Sequence, residues 1–146
     1  MAKPAAMTLL VWTRLLRAAD LAEQHCAAAL RAAGLPPPDW YDVLLALERG
    51  GPQRPRALQT SLGTEQYALS RLLDRMVRAG LITRTPCPDD ARGHTLDLTT
   101  EGRTMRSAMW PVYAEAIEAA LGARVVEDDC AALARMLGPL AVPVSG

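Results

Sequence analysis

A mainly helical fold with one small β-hairpin is what this 146-residue sequence predicts, on three observations. Apolar residues recur at spacings of three and four through most of the chain, the mark of helices that bury one face. Only between Leu81 and Leu98 does that period give way to alternation, and β-branched residues collect there. Gly and Pro punctuate the changes of pattern, at Gly34 to Pro38, Gly50-Gly51-Pro52, Gly63, Gly80 and Gly122.

The first helix is predicted from about Thr8 to Ala33, with Leu9, Trp12, Leu16, Ala19, Cys26 and Leu30 along its stripe. Gly34 suits its C-cap, and Pro36-Pro37-Pro38 forbids continuation. A second helix starts near Pro38 or Asp39, with Pro and an acid in its first turn, and turns Trp40, Val43, Leu44 and Leu47 inward. A short third helix fits Pro55 to Leu62. The fourth, about Thr64 to Ala79, is the clearest amphipathic segment of the middle third. Ala68, Leu69, Leu72, Leu73 and Met76 form its apolar stripe, and polar or charged residues with Tyr67 fill the other faces. Leu81–Thr85 and His94–Leu98 read as two strands, joined through a turn-rich tip from Pro86 to Gly93. A hairpin of two strands is not stable alone and must lean on neighbouring helices. Thr99 to Leu121 reads as a long helix that Pro111 should kink or bend, and Glu127 to Leu140 as a last one.

Half of the residues are hydrophobic and 22% are charged, the balance of a soluble globular domain. Sixteen basic and sixteen acidic side chains cancel, yet unevenly. Residues 54–106 carry nine Arg against six acids, whereas residues 107–146 carry two against five. Arg offers a planar fork of donors that matches phosphate and the guanine edge. No apolar run is long enough for a membrane span, and no signal peptide is expected. Three widely spaced cysteines, Cys26, Cys87 and Cys130, make no disulfide framework, which fits a cytoplasmic protein. Phosphate-cradling, nucleophile-elbow and zinc-protease motifs are missing from the sequence. Neither catalysis nor a metal or cofactor is expected.

Two short helices joined by a tight turn and followed by a hairpin are the order of a winged helix-turn-helix. In such a unit the second helix enters the major groove and the hairpin tip reaches the flanking backbone or minor groove. This places Gln66, Tyr67, Ser70 and Arg71 on the reading surface, with Arg75 further along the helix. Arg54 and Arg56 open the preceding helix, and Arg84, Asp90, Arg92 and His94 belong to the hairpin, which completes the candidate DNA-binding set. Gln can bond adenine bidentately and Arg guanine.

Leu58-x-x-x-Leu62-Gly63, Ser70-Arg71-Leu72-Leu73-Asp74-Arg75-Met76, Gly80-Leu81-Ile82-x-Arg84 and Asp90-x-Arg92 followed by Leu98-Thr99-x-x-Gly102 resemble, in order and spacing, the MarR family of bacterial transcription regulators. The resemblance covers nearly the whole chain. It implies one domain over 1–146, with a winged DNA-binding lobe over 35–100 and a helical dimerisation region from 1–34 and 101–146. It also implies a homodimer on double-stranded DNA at a pseudo-palindromic operator, acting as a ligand-responsive repressor. In the family's wing signature Arg contacts DNA and Asp orients it, which carries over to Arg92 and Asp90. The chain departs from the family at Glu65, where Ser is common and where Thr64 is the expected cap instead. Ala68 replaces a usual threonine, and Glu65 would repel phosphate.

The family's effector pocket lies among the first, second and fifth helices. Trp12, His25, Trp40, Tyr41, Trp110 and Tyr113 are the candidates to line it here, for a small aromatic or anionic effector. Cys26 is expected to be buried and structural. Cys87, between two prolines, is expected to be exposed, so redox sensing through Cys87 or Cys26 is one alternative function. A winged-helix protein-interaction module is another.

Overall fold

The computed structural model describes residues 1–145; Gly146, the last residue of the expected helical region, lies outside the described residues. Six α-helices and one hairpin are described, in the order α1 (Ala6–Ala32), α2 (Pro38–Gly50), α3 (Pro55–Leu62), α4 (Gln66–Arg78), β1 (Ile82–Cys87), β2 (Asp90–Leu98), α5 (Thr100–Ala120) and α6 (Glu127–Leu137). This is the mainly helical, winged architecture that the sequence predicts.

With no Phe in the chain, the core is aliphatic. Leu44, Leu47, Leu58, Leu73, Met76 and Met109 are fully buried in one cluster that joins α2, α3, α4 and α5. Each such side chain contributes about 1.5–3 kcal/mol through burial. The turn between α3 and α4 passes through Gly63 at φ +64°, a left-handed conformation that a side chain would strain.

Two findings on the hairpin differ from the sequence expectation. The strands run on to Cys87 and from Asp90, so the connection shrinks to Pro88-Asp89, and the register slips between Pro86 and Cys87. Pro86, opposite His94, is tolerated because β1 pairs on one side only and its missing N–H faces no second strand. β2 in turn is pinned on its other side: Gln53 and Leu96 exchange backbone hydrogen bonds of 3.0 and 2.8 Å.

The entry to α5 is a tight joint. The Thr99 hydroxyl accepts the Gly102 N–H at 3.0 Å and lies 2.7 Å from the Gly80 carbonyl and 2.9 Å from that of Leu81. Gly102 is required by this approach, since a Cβ there would overlap the Leu81 carbonyl oxygen. From that joint α5 continues unbroken through Pro111. An ion pair between Arg106 and Glu48 ties its first half to α2. α6 ends at Leu137, earlier than expected, because Pro139 cannot continue an α-helix; a 3-10 turn over Gly138–Ala141 follows.

α1 buries only Cys26 and Leu30, near its end. Leu9, Trp12 and Leu16 on α1, Leu121 after α5, and Met136 and Leu140 at the C-terminal end are all exposed. So large an exposed apolar surface on a single chain is of the kind that marks an interaction site. No helix among the described residues is long and apolar enough to cross a membrane.

Candidate nucleic-acid interface

α4 owes its position to its two faces. Leu69, Leu72, Leu73 and Met76 are buried, which turns Gln66, Tyr67, Ser70, Arg71, Asp74, Arg75 and Arg78 outward. Its N-terminus is capped by Glu65, not by Thr64: the two carboxylate oxygens accept the N–H groups of Tyr67 at 2.8 Å and Ala68 at 3.0 Å. Those backbone hydrogen bonds hold the Glu65 carboxyl below the usual glutamate range. Glu65 therefore spends its charge on the helix end, where an anion is favoured.

A cleft of about 1030 Å³ lies between α3, α4 and the hairpin. Arg54, Arg56, Gln66, Ser70, Arg84, Arg92 and His94 line it, so seven residues singled out from the sequence converge on one surface. Tyr67, Arg71, Arg75 and Asp90 lie outside that lining. Tyr67 is 67% exposed, on the outer face of α4. The Arg71 guanidinium sits 5.7 Å from its ring centroid, a cation–π contact that orders both on the outer face of α4.

Asp90 organises the wing through its main chain. One carboxylate oxygen accepts the Arg92 backbone N–H at 3.0 Å, and the other pairs with Arg54 at 3.5 Å. The Arg92 N–H first, and the Arg54 side chain after it, hold the Asp90 carboxyl below the ordinary aspartate range. The pair links the start of α3 to the wing. Gly93 makes room for it, since a Cβ there would come within 2.9 Å of an Asp90 carboxylate oxygen. Gly93 was not singled out from the sequence, although a glycine two residues after Asp-x in a turn is the available signal. Arg84 forms an ion pair with Asp74 at 2.5 Å, bridging β1 to α4. Asp74 thus pairs across elements and not with Arg75 or Arg78 on its own helix.

The six candidate pocket residues separate. Tyr41, Trp110 and Tyr113 form an aromatic cluster, with Tyr41 stacked on Trp110 at 5.8 Å and edge-on to Tyr113 at 5.2 Å. Trp40 is half-buried against the core, His25 is exposed, and Trp12 lies on the open apolar face at 62% exposure. A second cavity, of about 500 Å³, opens between α1, α2 and α5 and takes only Tyr113 from that set. Its other lining includes Glu23, Cys26, Asp39 and Asp42, of which the three acids were not singled out from the sequence. Their signal was spacing: Asp39 with Asp42, and Glu23 with Cys26, stand three apart on helices and so share a face.

Cys26 is buried, as expected, and burial pushes its thiol pKa up, away from the reactive thiolate. Cys87, expected to be exposed, is half-buried in the hairpin. All three cysteines are free.

Residues 33–93, which contain α2 to α4 and most of the hairpin, match the model of the MarR family. The multiple antibiotic resistance protein MarR of Escherichia coli (strain K12) is 29% identical over 97 residues, or 66% of this chain and 67% of that protein. Its counterpart in Salmonella typhimurium is 37% identical over 62 residues, 42% of this chain and 43% of that one. Among solved structures, a MarR family transcriptional regulator from Streptomyces coelicolor in complex with DNA superposes with a TM-score of 0.84 at 27% identity, covering 97% of this chain and 89% of that one. The transcriptional repressor CouR bound to a 23-mer DNA duplex superposes with a TM-score of 0.83, also at 27% identity, covering 97% and 99%.

Proposed function

We propose that this chain is a member of the MarR family of transcriptional regulators and acts as a homodimeric repressor that reads a pseudo-palindromic operator and releases it when a small effector binds. The observation that carries this reading is the convergence of Gln66 and Ser70 from α4 with Arg54, Arg56 and Arg92 on one cleft. Such a surface combines base-reading side chains with phosphate-matching guanidinium groups, the two contact types a sequence-specific DNA interface needs. The DNA-bound structures of the Streptomyces coelicolor relative and of CouR support it.

Homodimerisation is supported by the open apolar face of α1 and the C-terminal segment. A two-fold axis through that face sets two copies of α4 about one DNA turn apart, roughly 34–36 Å, so operator symmetry follows protein symmetry. Candidate DNA contacts are Arg54, Arg56, Gln66, Tyr67, Ser70, Arg71, Arg75, Arg84, Arg92 and His94, with Asp90 ordering the wing. Effector entry through the cavity between α1, α2 and α5 gives the ligand a grip on both the dimer helices and the winged lobe.

The test is fluorescence anisotropy with duplexes from upstream of the chain's own gene. A palindromic site should bind tightly, and five extra base pairs between its half-sites should abolish binding by turning one half-site to the far side of the duplex. Gln66→Ala should change the preferred base at one position of each half-site, with a loss of about 1–3 kcal/mol per contact. Binding indifferent to both changes would assign the cleft to another role.

A further inference from the structure

We propose that Tyr67 and Arg71 act as one reading unit, which requires in each half of the bound site a G·C pair directly beside an A·T pair whose thymine methyl packs on the Tyr67 ring. That role rests on the regulator reading above; the base step it names belongs to the outer face of α4 and not to the cleft.

The buried stripe of Leu69, Leu72, Leu73 and Met76 fixes how α4 is rotated. At about 100° per residue, Tyr67 and Arg71 project within about 30° of the direction opposite that stripe, whereas Gln66 and Ser70 project about 70–110° away from it. Gln66 and Ser70 accordingly line the cleft toward α3 and the hairpin. Tyr67 and Arg71, one turn apart, form the leading edge of a helix that enters a groove.

Both side chains are exposed, and the donors of Arg71 are not spent elsewhere. The acids on either side of the pair are occupied, Glu65 by the N–H groups of Tyr67 and Ala68 and Asp74 by Arg84. Among the described residues Arg71 joins no ion pair, and its guanidinium is held by the Tyr67 ring alone, 5.7 Å away. A carboxylate would consume the fork of donors along the guanidinium edge; a ring covers one face and leaves that edge open.

The open edge and the covered face select the base step together. An Arg that bonds guanine O6 and N7 bidentately lies nearly in the plane of that base pair. Its two faces then look along the duplex, so the ring on one of them stands beside the major-groove edge of the neighbouring pair. Thymine alone presents an apolar methyl group there. Against adenine, guanine or cytosine the same ring face would cover donors or acceptors that it cannot satisfy.

The probe is a library of randomised duplexes, from which the full chain selects its preferred sequence. Selected sites should carry guanine next to thymine once in each half-site. Arg71→Ala should lose the preference for guanine, by about fivefold or more. Tyr67→Ala should lose the preference for thymine and keep that for guanine, while Tyr67→Phe, with the ring face unchanged, should keep both. Replacing the thymidine by deoxyuridine removes one methyl group and nothing else. Fluorescence anisotropy should then show wild-type affinity falling by about fourfold per half-site, with Tyr67→Ala indifferent to the exchange. Both positions are exposed, so thermal melts should show every variant folded. Selected sites that lack the guanine–thymine neighbour overturn the proposal, as does deoxyuridine bound as tightly as thymidine. A methyl dependence that Tyr67→Ala retains overturns it too, by assigning the contact to another residue. In all three cases the regulator reading stands, because the chain has still selected a sequence. Recovery of no preferred sequence overturns the reading unit and the regulator together.

Discussion

Arg92→Ala tests the DNA contact proposed for the wing. Arg92 is exposed at the hairpin tip, and among the described residues it takes part in no ion pair. Its structural bond to Asp90 runs through the backbone N–H, which alanine keeps. Truncation should therefore leave the melting temperature nearly unchanged while removing one guanidinium per protomer. Each phosphate contact contributes about 0.9 to the slope of log K against log salt, so a homodimer losing two should show a slope shallower by about 1.8. Between 50 and 200 mM salt the variant's affinity deficit should then shrink by about 12-fold, against about 3.5-fold if a single wing engages. Anisotropy titrations of a labelled duplex across that range measure both. Arg84→Ala is the internal control. Its guanidinium is already paired with Asp74, so it should flatten the slope less. An Arg92→Ala slope parallel to the wild type, or a larger effect from Arg84→Ala, would refute the assignment of phosphate contact to the wing tip.

Three further outcomes are expected. Gly102→Ala forces a Cβ onto the Leu81 carbonyl, which is backbone and cannot swing away; calorimetry should show a loss of about 2–3 kcal/mol. Leu16→Glu places a charge on the open face of α1, and light scattering should show the molar mass falling from twice the chain mass to once, with operator affinity lost alongside. Glu65→Ala removes the α4 cap. Because the folded-state pKa is lowered, that cap's stabilisation is fully present above the ordinary glutamate value of about 4.3 and is lost as the pH falls through the lowered one. The gap in melting temperature between wild type and variant should accordingly close toward acid pH.

The helices were legible because their apolar residues recur with the right period and Gly or Pro closes them. The placement of α4 needed only the stripe from Leu69 to Met76 and the breakers Gly63 and Gly80. The end of α6 was misplaced because its apolar pattern continues to Leu140, while Pro139 halts the backbone regardless. The hairpin tip looked long because Pro86 and the Asp pair are turn formers, yet an edge strand accommodates Pro86 without losing a ladder bond. Seven of the candidate DNA contacts do share a cleft, since periodicity tells which face a residue takes. Pairings between elements were beyond reach: Arg84 with Asp74, and Arg54 with Asp90, stand 10 and 36 residues apart. The acids of the second cavity escape for the same reason, as Glu23 and Asp42 line one cavity only when α1 and α2 pack.

The joint at Thr99 makes α5 a lever. The end of α4 and the start of β1 are clamped to its first turn through Gly80, Leu81 and Gly102, so they cannot be tilted separately. Its 21 residues give an arm of about 31 Å whose far end, at Ile117 and Ala120, forms a wall of the second cavity. Pushing that wall by about 2.7 Å turns the clamp by about 5°, with helix length as the only gearing. In the proposed regulator, α4 and the hairpin would swing as one piece, without a wire of contacts running between them and a molecule held in that cavity.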